Sequence, residues 1–420
     1  MSAKMLEPDV KFIKELNARG GDTLKKCYQC ATCSVVCPIA PDNKPFPRKE
    51  MIAASWGLSD RLTSDMDVWL CHQCGDCSEK CPRGAKPGDV LGAIRNYAIE
   101  SYAKPKWLAQ AVNDPKKLPI LIAIPLVLFL VMGKIIGPIL MKVLGPILNL
   151  IFASETPFSQ WNLLNFHPHL DIHGQIATSE FFSSWLVDIT FVPTMIFAVV
   201  VFLLSLKAFV NDMHQNAVAE GKVQNAGPLS VMEMLKTLPK VLVTILSHRK
   251  FSECSANKSR ATSHMMVLFG FIGLFIVTGI FFVVLYGSML FTGYEHAWHA
   301  PYSQWLPVKW LANASGLALA IGALAMIKDR LSKDPKHAKT AYQDWFLIGL
   351  VMALAVTGLG TEMARLAGAA TVTYIIYYLH LTAVWMLFAY TPFSKLAHLV
   401  YRTTAMVYAE YAGREVKAEA

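Results

Sequence analysis

The stretch that decides the reading is CYQCATCSVVCP, residues 27–38, written a second time as CHQCGDCSEKCP at residues 71–82. Each copy is a C-x2-C-x2-C-x3-C-P run, with four thiols in quick succession and a proline that turns the chain away. Soft sulfur ligands at this spacing suit a cubane iron–sulfur cluster, and in two-cluster arrangements the fourth cysteine of each run crosses to the other cluster. The expected ligand sets are therefore Cys27, Cys30, Cys33 and Cys81 for one [4Fe–4S] cluster, and Cys71, Cys74, Cys77 and Cys37 for its partner. Zinc usually takes two separated C-x2-C pairs. A disulfide framework belongs to small secreted domains. The runs point to electron transfer.

Working outward, the chain divides into two unlike parts. Of 420 residues, 54% are hydrophobic and only 16% charged, and the mean hydropathy is +0.37. A soluble protein of this length carries more charge and less apolar content. Eight of the nine cysteines lie within the first 81 residues; the long apolar stretches come later. The expected fold is all-α. Residues 1–112 form a helical ferredoxin domain with two clusters, and residues 113–420 a transmembrane bundle of about six helices that binds haem b. The opening MSAKMLEPDVKF lacks the apolar core of a signal peptide, so the head is expected in the cytoplasm. Phe12, Ile13 and Leu16 form a helical stripe ended by Gly20-Gly21. Met51, Ile52, Trp56 and Leu62 repeat at helical spacing without the alternation of strands, which favours a helical head over a small βαβ-type ferredoxin. A further helix is expected over 89–102, and Asn113-Asp114-Pro115 marks the linker.

Six apolar stretches approach the ~20 residues that a spanning helix needs: 118–140, 185–209, 263–290, 308–327, 343–365 and 372–394. Lys134, Lys142 and three prolines (Pro125, Pro138, Pro146) leave both a crossing and an interfacial path open for 135–153. The connections 154–184, 292–307 and 366–371 contain no Lys or Arg, whereas the alternate ones are rich in both, from Lys222 to Arg260 and from Lys328 to Lys339. By the positive-inside rule, head and both termini lie on the cytoplasmic side of a bacterial inner membrane. The net charge of +9 is thus mostly a topology signal, and no basic stripe on a soluble domain supports nucleic-acid binding.

His380 and His398 lie eighteen residues apart in YYLHLTAVWMLFAYTPFSKLAH. If the helix continues past Pro392, they share a face about 27 Å apart along the axis, a spacing that fits two stacked haems with axial histidines. His264, at the same level as His398, is expected to pair with it around the inner haem, with Gly270 and Gly273 open either to a macrocycle or to helix packing. His380 holds the outer haem. Its partner lies among His167, His169, His173, His296 and His299, and His173 is preferred; a single-haem protein is the alternative. His72 tunes its cluster by hydrogen bonding. His214, His248 and His337 read as solvated loop residues, and Cys254 as an ordinary thiol. Asp188 and Glu362, near outer helix ends, are candidate proton acceptors for a quinone.

On these residues the head, CYQCATCSVVCPIAP and CHQCGDCSEKCP, resembles the small iron–sulfur subunit of heterodisulfide reductase. The body is similar to the gamma-type cytochrome b family of respiratory nitrate reductase, with which it shares the His380–His398 spacing and the PFSKLAH ending. That family carries a second histidine ten residues after the counterpart of His264; here the position is Leu274. The fusion order resembles the C-subunit family of quinone-interacting membrane-bound oxidoreductases. The resemblance implies two cytoplasmic flavin and iron–sulfur subunits as partners, adenylylsulfate reductase beyond them in sulfate respiration, and menaquinone as lipid substrate. A heterodisulfide reductase-type complex with a different soluble partner is the alternative. Reduction of a disulfide at a special cluster, which in that family uses paired cysteines, finds no Cys-Cys dipeptide here. A sensor would need an output domain, and the 22 residues after His398 fall short of the ~50 at which independent domains begin.

Overall fold

The computed structural model describes residues 7–152, 163–166, 170, 174–223, 227–247, 260–293, 298, 300–332 and 340–414. Among them there is no strand; the only β feature is an isolated bridge between Leu164 and Phe182. The head holds α1 (Val10–Leu16), α2 (Thr32–Val35), α3 (Arg48–Ser55), α4 (Ser59–Thr63), α5 (Met66–Leu70), α6 (Asp76–Glu79), α7 (Pro87–Tyr102) and α8 (Lys106–Val112). Its spine is α7, started by Pro87 at the first turn and burying Val90, Leu91, Ile94, Ala98 and Ile99. Against it lie α1, with Phe12 and Leu16 fully buried, and the short helices α3 to α5. Gly57, at φ +70° and packed on the Asp9 backbone, separates α3 from α4. Helix α3 ends at Ser55, and Trp56 is 59% exposed instead of joining the core stripe.

Among the described residues, six helices are long and apolar enough to cross a membrane: Pro115–Phe152, Ser184–Ala219, Ala261–Thr292, Pro307–Leu331, Tyr342–Leu366 and Ala370–Phe393. The first is one continuous helical rod. Its two α segments, α9 (Leu118–Val131) and α10 (Gly137–Phe152), are joined by a π turn at Met132–Ile136. A side chain at residue 137 would run into the Met132 carbonyl and Leu163, so this turn requires Gly137. After α11 (Thr178–Phe181), the 36 residues of α12 (Ser184–Ala219) reach about 54 Å at 1.5 Å per residue, well beyond a hydrocarbon core of about 30 Å. The excess projects into the head. Next come α13 (Val231–Lys236), α14 (Leu238–Leu246), α15 (Arg260–Thr292), α16 (Pro307–Leu331), α17 (Tyr342–Leu366), α18 (Ala370–Tyr390) and α19 (His398–Tyr411).

Small residues let α15 and α16 approach closely. A Cβ on Gly270 would sit 2.9 Å from the Ser315 carbonyl, one on Gly273 would overlap the Ser315 hydroxyl, and one on Gly322 would sit 2.9 Å from the Ser263 carbonyl. Gly270 and Gly273 therefore serve helix packing. Elsewhere, Trp385 Nε1 donates to Thr194 Oγ1 (2.9 Å), and the Tyr390 hydroxyl to the Leu121 carbonyl (2.9 Å).

Pro392 ends α18. The chain passes through 3-10 turns at Thr391–Phe393 and Lys395–Ala397, with Ser394 extended between them, before α19 begins. A proline lacks the amide that a continuing helix needs and clashes with the preceding turn. The single helix expected to carry both His380 and His398 is thus two helices, and the straight-axis separation does not apply. Helix α19 leaves the bundle and packs on the head beside the projecting end of α12. Trp69 and Tyr401 stack at 5.2 Å, with Phe209 edge-on to both rings (5.7 and 5.1 Å). Head and bundle share one apolar core at this junction. His214, expected in a solvated loop, lies on α12 and pins the junction through the Tyr408 hydroxyl (2.9 Å) and the Gly227 carbonyl (3.1 Å).

Candidate iron–sulfur and histidine sites

The two cysteine runs fold alike. Each enters from a short helical turn, Leu24–Lys26 or α5. In each, the third and fifth residues take positive φ: Gln29 and Ala31 at 69° in the first, Gln73 at 52° and Gly75 at 96° in the second. Each then starts a one-turn helix, α2 or α6, and these pack together. The left-handed residues curl the backbone around a common centre, at a cost of about 1–2 kcal/mol for each non-glycine residue. Arg95 clamps the second run, donating to the carbonyls of Val68 (3.0 Å) and Cys71 (2.9 Å) and to Gln73 Oε1 (2.9 Å). Gly92 leaves room for Gln73, whose Nε2 would lie 2.9 Å from a Cβ there.

The thiols gather in two sets, each mixing the runs. Burial pushes Cys33 up to about 11, helped by the nearby Cys27, Cys30 and Cys81. Burial likewise pushes Cys37 up to about 12, with Cys71 and Cys74 acting the same way against the Ile39 and Ala40 amides. Cys77 is raised by burial, then by Cys71, Cys74, Cys37 and, more weakly, Cys33, so the two sets are neighbours. A small cavity, partly open to solvent, is lined by Cys37, Cys71, Cys74 and Cys77 together with His72. Amide donors already point at sulfur: Gln73 N–H to Cys71 Sγ and Ala85 N–H to Cys81 Sγ, each at 3.3 Å. Converging thiols with amide donors aimed at sulfur fit a cluster whose iron supplies the positive charge. The second set is the more buried: Cys37, Cys71 and Cys77 are buried and Cys74 half-buried, whereas in the first set Cys30 is exposed and Cys27, Cys33 and Cys81 are half-buried.

Rings mark the two sets as well. The second residue of the first run, Tyr28, is 57% exposed, and Arg83 lies over it at 5.8 Å. Its counterpart His72 meets Arg402 of α19, whose Nη2 lies 2.7 Å from Nδ1 and 3.0 Å from Nε2.

His398 opens α19, and its Nδ1 is 2.6 Å from the Lys395 carbonyl. A carbonyl only accepts, so Nδ1 carries the proton and Nε2 keeps its lone pair, the arrangement typical of a ligating histidine. Burial pushes His398 down to about 3, with Lys395, His264 and Arg402 acting the same way, which places His264 close by. The Lys395 side chain pairs with Asp344, as does Arg330 (3.8 Å), so this end of the bundle is tied across α16, α17 and the link before α19.

His380 sits between α18 and α17. The Thr357 hydroxyl donates to the Ala353 carbonyl (2.5 Å), so at its 3.0 Å contact with Nδ1 the imidazole donates, again leaving Nε2 free. The ring lies on Gly358, where a Cβ would come within 3.0 Å of Cε1. Leu274 packs in an apolar group with Leu319 and Val351. His173 lies outside the described residues, as do His167, His169, His248, His296, His299, His337 and Cys254. Asp188 accepts a short hydrogen bond from the Tyr286 hydroxyl, and Tyr377, one turn before His380, lies near enough to interact with its charge. Glu362 is held by Lys309 (3.0 Å) and Asn313 (3.4 Å).

Residues 23–85 match the family described as the 4Fe-4S dicluster domain. Over 93 residues the head is 38% identical to the C subunit of the H(2):CoB-CoM heterodisulfide,ferredoxin reductase of Methanothermobacter marburgensis, covering 22% of this chain and 50% of that one. It is 38% identical over 94 residues to a protein of Archaeoglobus profundus described as like the C subunit of heterodisulfide reductase (22% and 48%). Against the C subunit of the ferredoxin:CoB-CoM heterodisulfide reductase of Methanosarcina mazei it is 34% identical over 89 residues (21% and 54%). The chain spans about half the length of the curated relatives it matches. No solved structure matches. The head is thus a 4Fe–4S dicluster domain homologous to the C subunit of heterodisulfide reductase, joined to a body whose described residues include six helices long and apolar enough to cross a membrane.

Proposed function

We propose that the chain is the membrane subunit of a respiratory oxidoreductase. It would pass electrons between menaquinol, haem b, two [4Fe–4S] clusters and cytoplasmic flavin and iron–sulfur subunits, in a complex serving adenylylsulfate reduction. Cys27, Cys30, Cys33 and Cys81 hold one cluster, and Cys71, Cys74, Cys77 and Cys37 the other; when bound, they supply one-electron steps at low potential. The observation that carries this reading is the polarity of the head. The buried thiol set faces the helix that begins with His398, and the exposed set opens to solvent. The bundle thus communicates with the second set and a soluble partner with the first. Around the first set, Lys25, Lys26, Lys80 and Arg83 are exposed beside the apolar Tyr28 and Val35, a surface suited to an acidic redox partner. A heterodisulfide reductase-type complex with another soluble partner uses the same residues. The head and both termini lie on the cytoplasmic side of the inner membrane.

His264 and His398 hold the inner haem b, with Nε2 of His398 already presented, and His380 holds the outer one with His173 as its proposed partner. Iron, sulfide and haem per polypeptide in detergent-purified protein test this assignment. Two haems are expected, His398→Ala removes one, and a His398→Ala variant with unchanged haem content refutes the inner pair.

Of the two carboxylates, Asp188 is the proposed proton acceptor for quinol. It faces two tyrosines at the level of His380, whereas Glu362 is already neutralised by Lys309. Asp188→Asn is expected to lower quinol-dependent reduction of the clusters at least tenfold, within the range of general-base contributions, and Glu362→Gln to lower it far less. Equal losses in the two variants would contradict the choice.

A further inference from the structure

The second residue of each cysteine run carries a ring, and each ring is met by an arginine, but the arginines come from different halves of the chain. Arg83, over Tyr28, belongs to the head and follows Cys81 by two residues. Arg402, against His72, comes from α19, 330 residues away in sequence. It stands one turn after His398, and residues four apart share a helix face. His72 lines the cavity of Cys37, Cys71, Cys74 and Cys77. The bundle thus delivers one cation to the rim of the second thiol set.

We propose that Arg402 is a positioning residue that raises the reduction potential of the second cluster and makes it the entry port for electrons from the bundle. The inference rests on the ligand assignment above. A reduced cluster carries one more negative charge than the oxidised form, so a fixed cation nearby favours reduction. Asp76, on the same cavity, opposes this. Arg95 adds a second positive charge, from within the head, where it is held by the carbonyls of Val68 and Cys71 and by Gln73. Arg402 is the charge that arrives from outside the head. Because α19 also begins with His398, displacement of that helix would alter the potential and the electron path together.

The test is a potentiometric titration of the full-length protein in detergent, followed by electron paramagnetic resonance, on Arg402→Gln and Arg402→Lys. Iron and sulfide content is measured first; fewer than two clusters in the unsubstituted chain refutes the ligand assignment itself and the inference with it. With two clusters present, Arg402→Gln is expected to lower the midpoint of the second cluster and leave the first unmoved. Arg402→Lys, which keeps the charge, should recover most of the shift. Unchanged midpoints in Arg402→Gln, or an equal fall at both clusters, overturns the proposal.

Discussion

Cys37→Ala is expected to abolish the second cluster and spare the first, although Cys37 lies in the first run. The reason is geometric: Cys37 lies near enough to Cys71 and Cys74 to interact with their charge and lines the cavity they share with Cys77. Cys81→Ala should do the reverse, because Cys81 belongs with Cys27, Cys30 and Cys33. Each variant should lose about four of eight iron atoms by the stoichiometry of the clusters. The retained spectrum tells them apart: Cys37→Ala keeps the cluster at the exposed site, which a small soluble reductant reaches most easily. A linear pattern, in which Cys37→Ala destroys the cluster of its own run, would falsify the crossed assignment. The alanine at position 37 also leaves a buried site without its ligand, so a moderate loss of head stability accompanies the loss of iron.

Much of this was legible from sequence because the constraints are local. Ligand spacing is set within eleven residues of each run, and hydrocarbon thickness dictates the length of each apolar stretch. Both signals survive whatever the rest of the chain does. The junction between the halves was not legible, because it is made by pairs far apart in sequence: Arg402 with His72, His214 with Tyr408, and Lys222 with Asp65, 157 residues away. One signal was present. Tyr401, Ala405 and Tyr408 recur at helical spacing beyond Pro392, and such a stripe must be buried against something; they pack on Trp69 and Phe209. The break at Pro392 was not fixed by the proline alone, because Pro125, Pro146 and Pro193 lie inside unbroken helices. The small residues at 270 and 273 could serve a ligand or a neighbouring helix, and only the position of Ser315 decides between them.

Lys222→Met is expected to cost about 3–5 kcal/mol, the usual penalty for removing one partner of a buried ionic network. Gly221, at φ +59°, ends α12 and turns Lys222 back into the head, with the Lys222 amide bonded to the Ala217 carbonyl (2.9 Å). There the ammonium meets Asp65 (2.8 Å), Asp67 (3.0 Å) and Glu220 (2.8 Å), with Glu50 at 3.9 Å. Glu50, Asp65 and Asp67 lie close enough to share a metal ion, but the lysine occupies that position. Arg414 adds a second cation on Asp67 (3.1 Å), and Arg61 pairs with Glu220. Burial alone would lower Lys222, but Asp65, Asp67, Glu50 and Glu220 outweigh it and raise the pKa, so the lysine stays charged throughout the working range. Burial raises Glu50 well above the usual carboxylate range, followed by repulsion from Asp65, and neither of its oxygens has a hydrogen-bond partner. With Glu50 protonated, three carboxylates face three cations and the network is neutral. The sign of the pH dependence follows. Between the ordinary glutamate pKa and the raised native one, the folded state holds the extra proton, so this group's contribution to stability falls as pH rises. Glu50→Gln should remove that fall and leave the protein at least as stable near neutral pH. Lys222→Met strands two or three buried carboxylates, and adding Asp65→Asn should recover part of the loss. Heat-induced bleaching of the cluster absorbance, recorded across the pH range, reads all three variants. A Lys222→Met protein that bleaches at the unsubstituted temperature would mean that the head is held to the bundle by the Trp69–Phe209–Tyr401 packing alone.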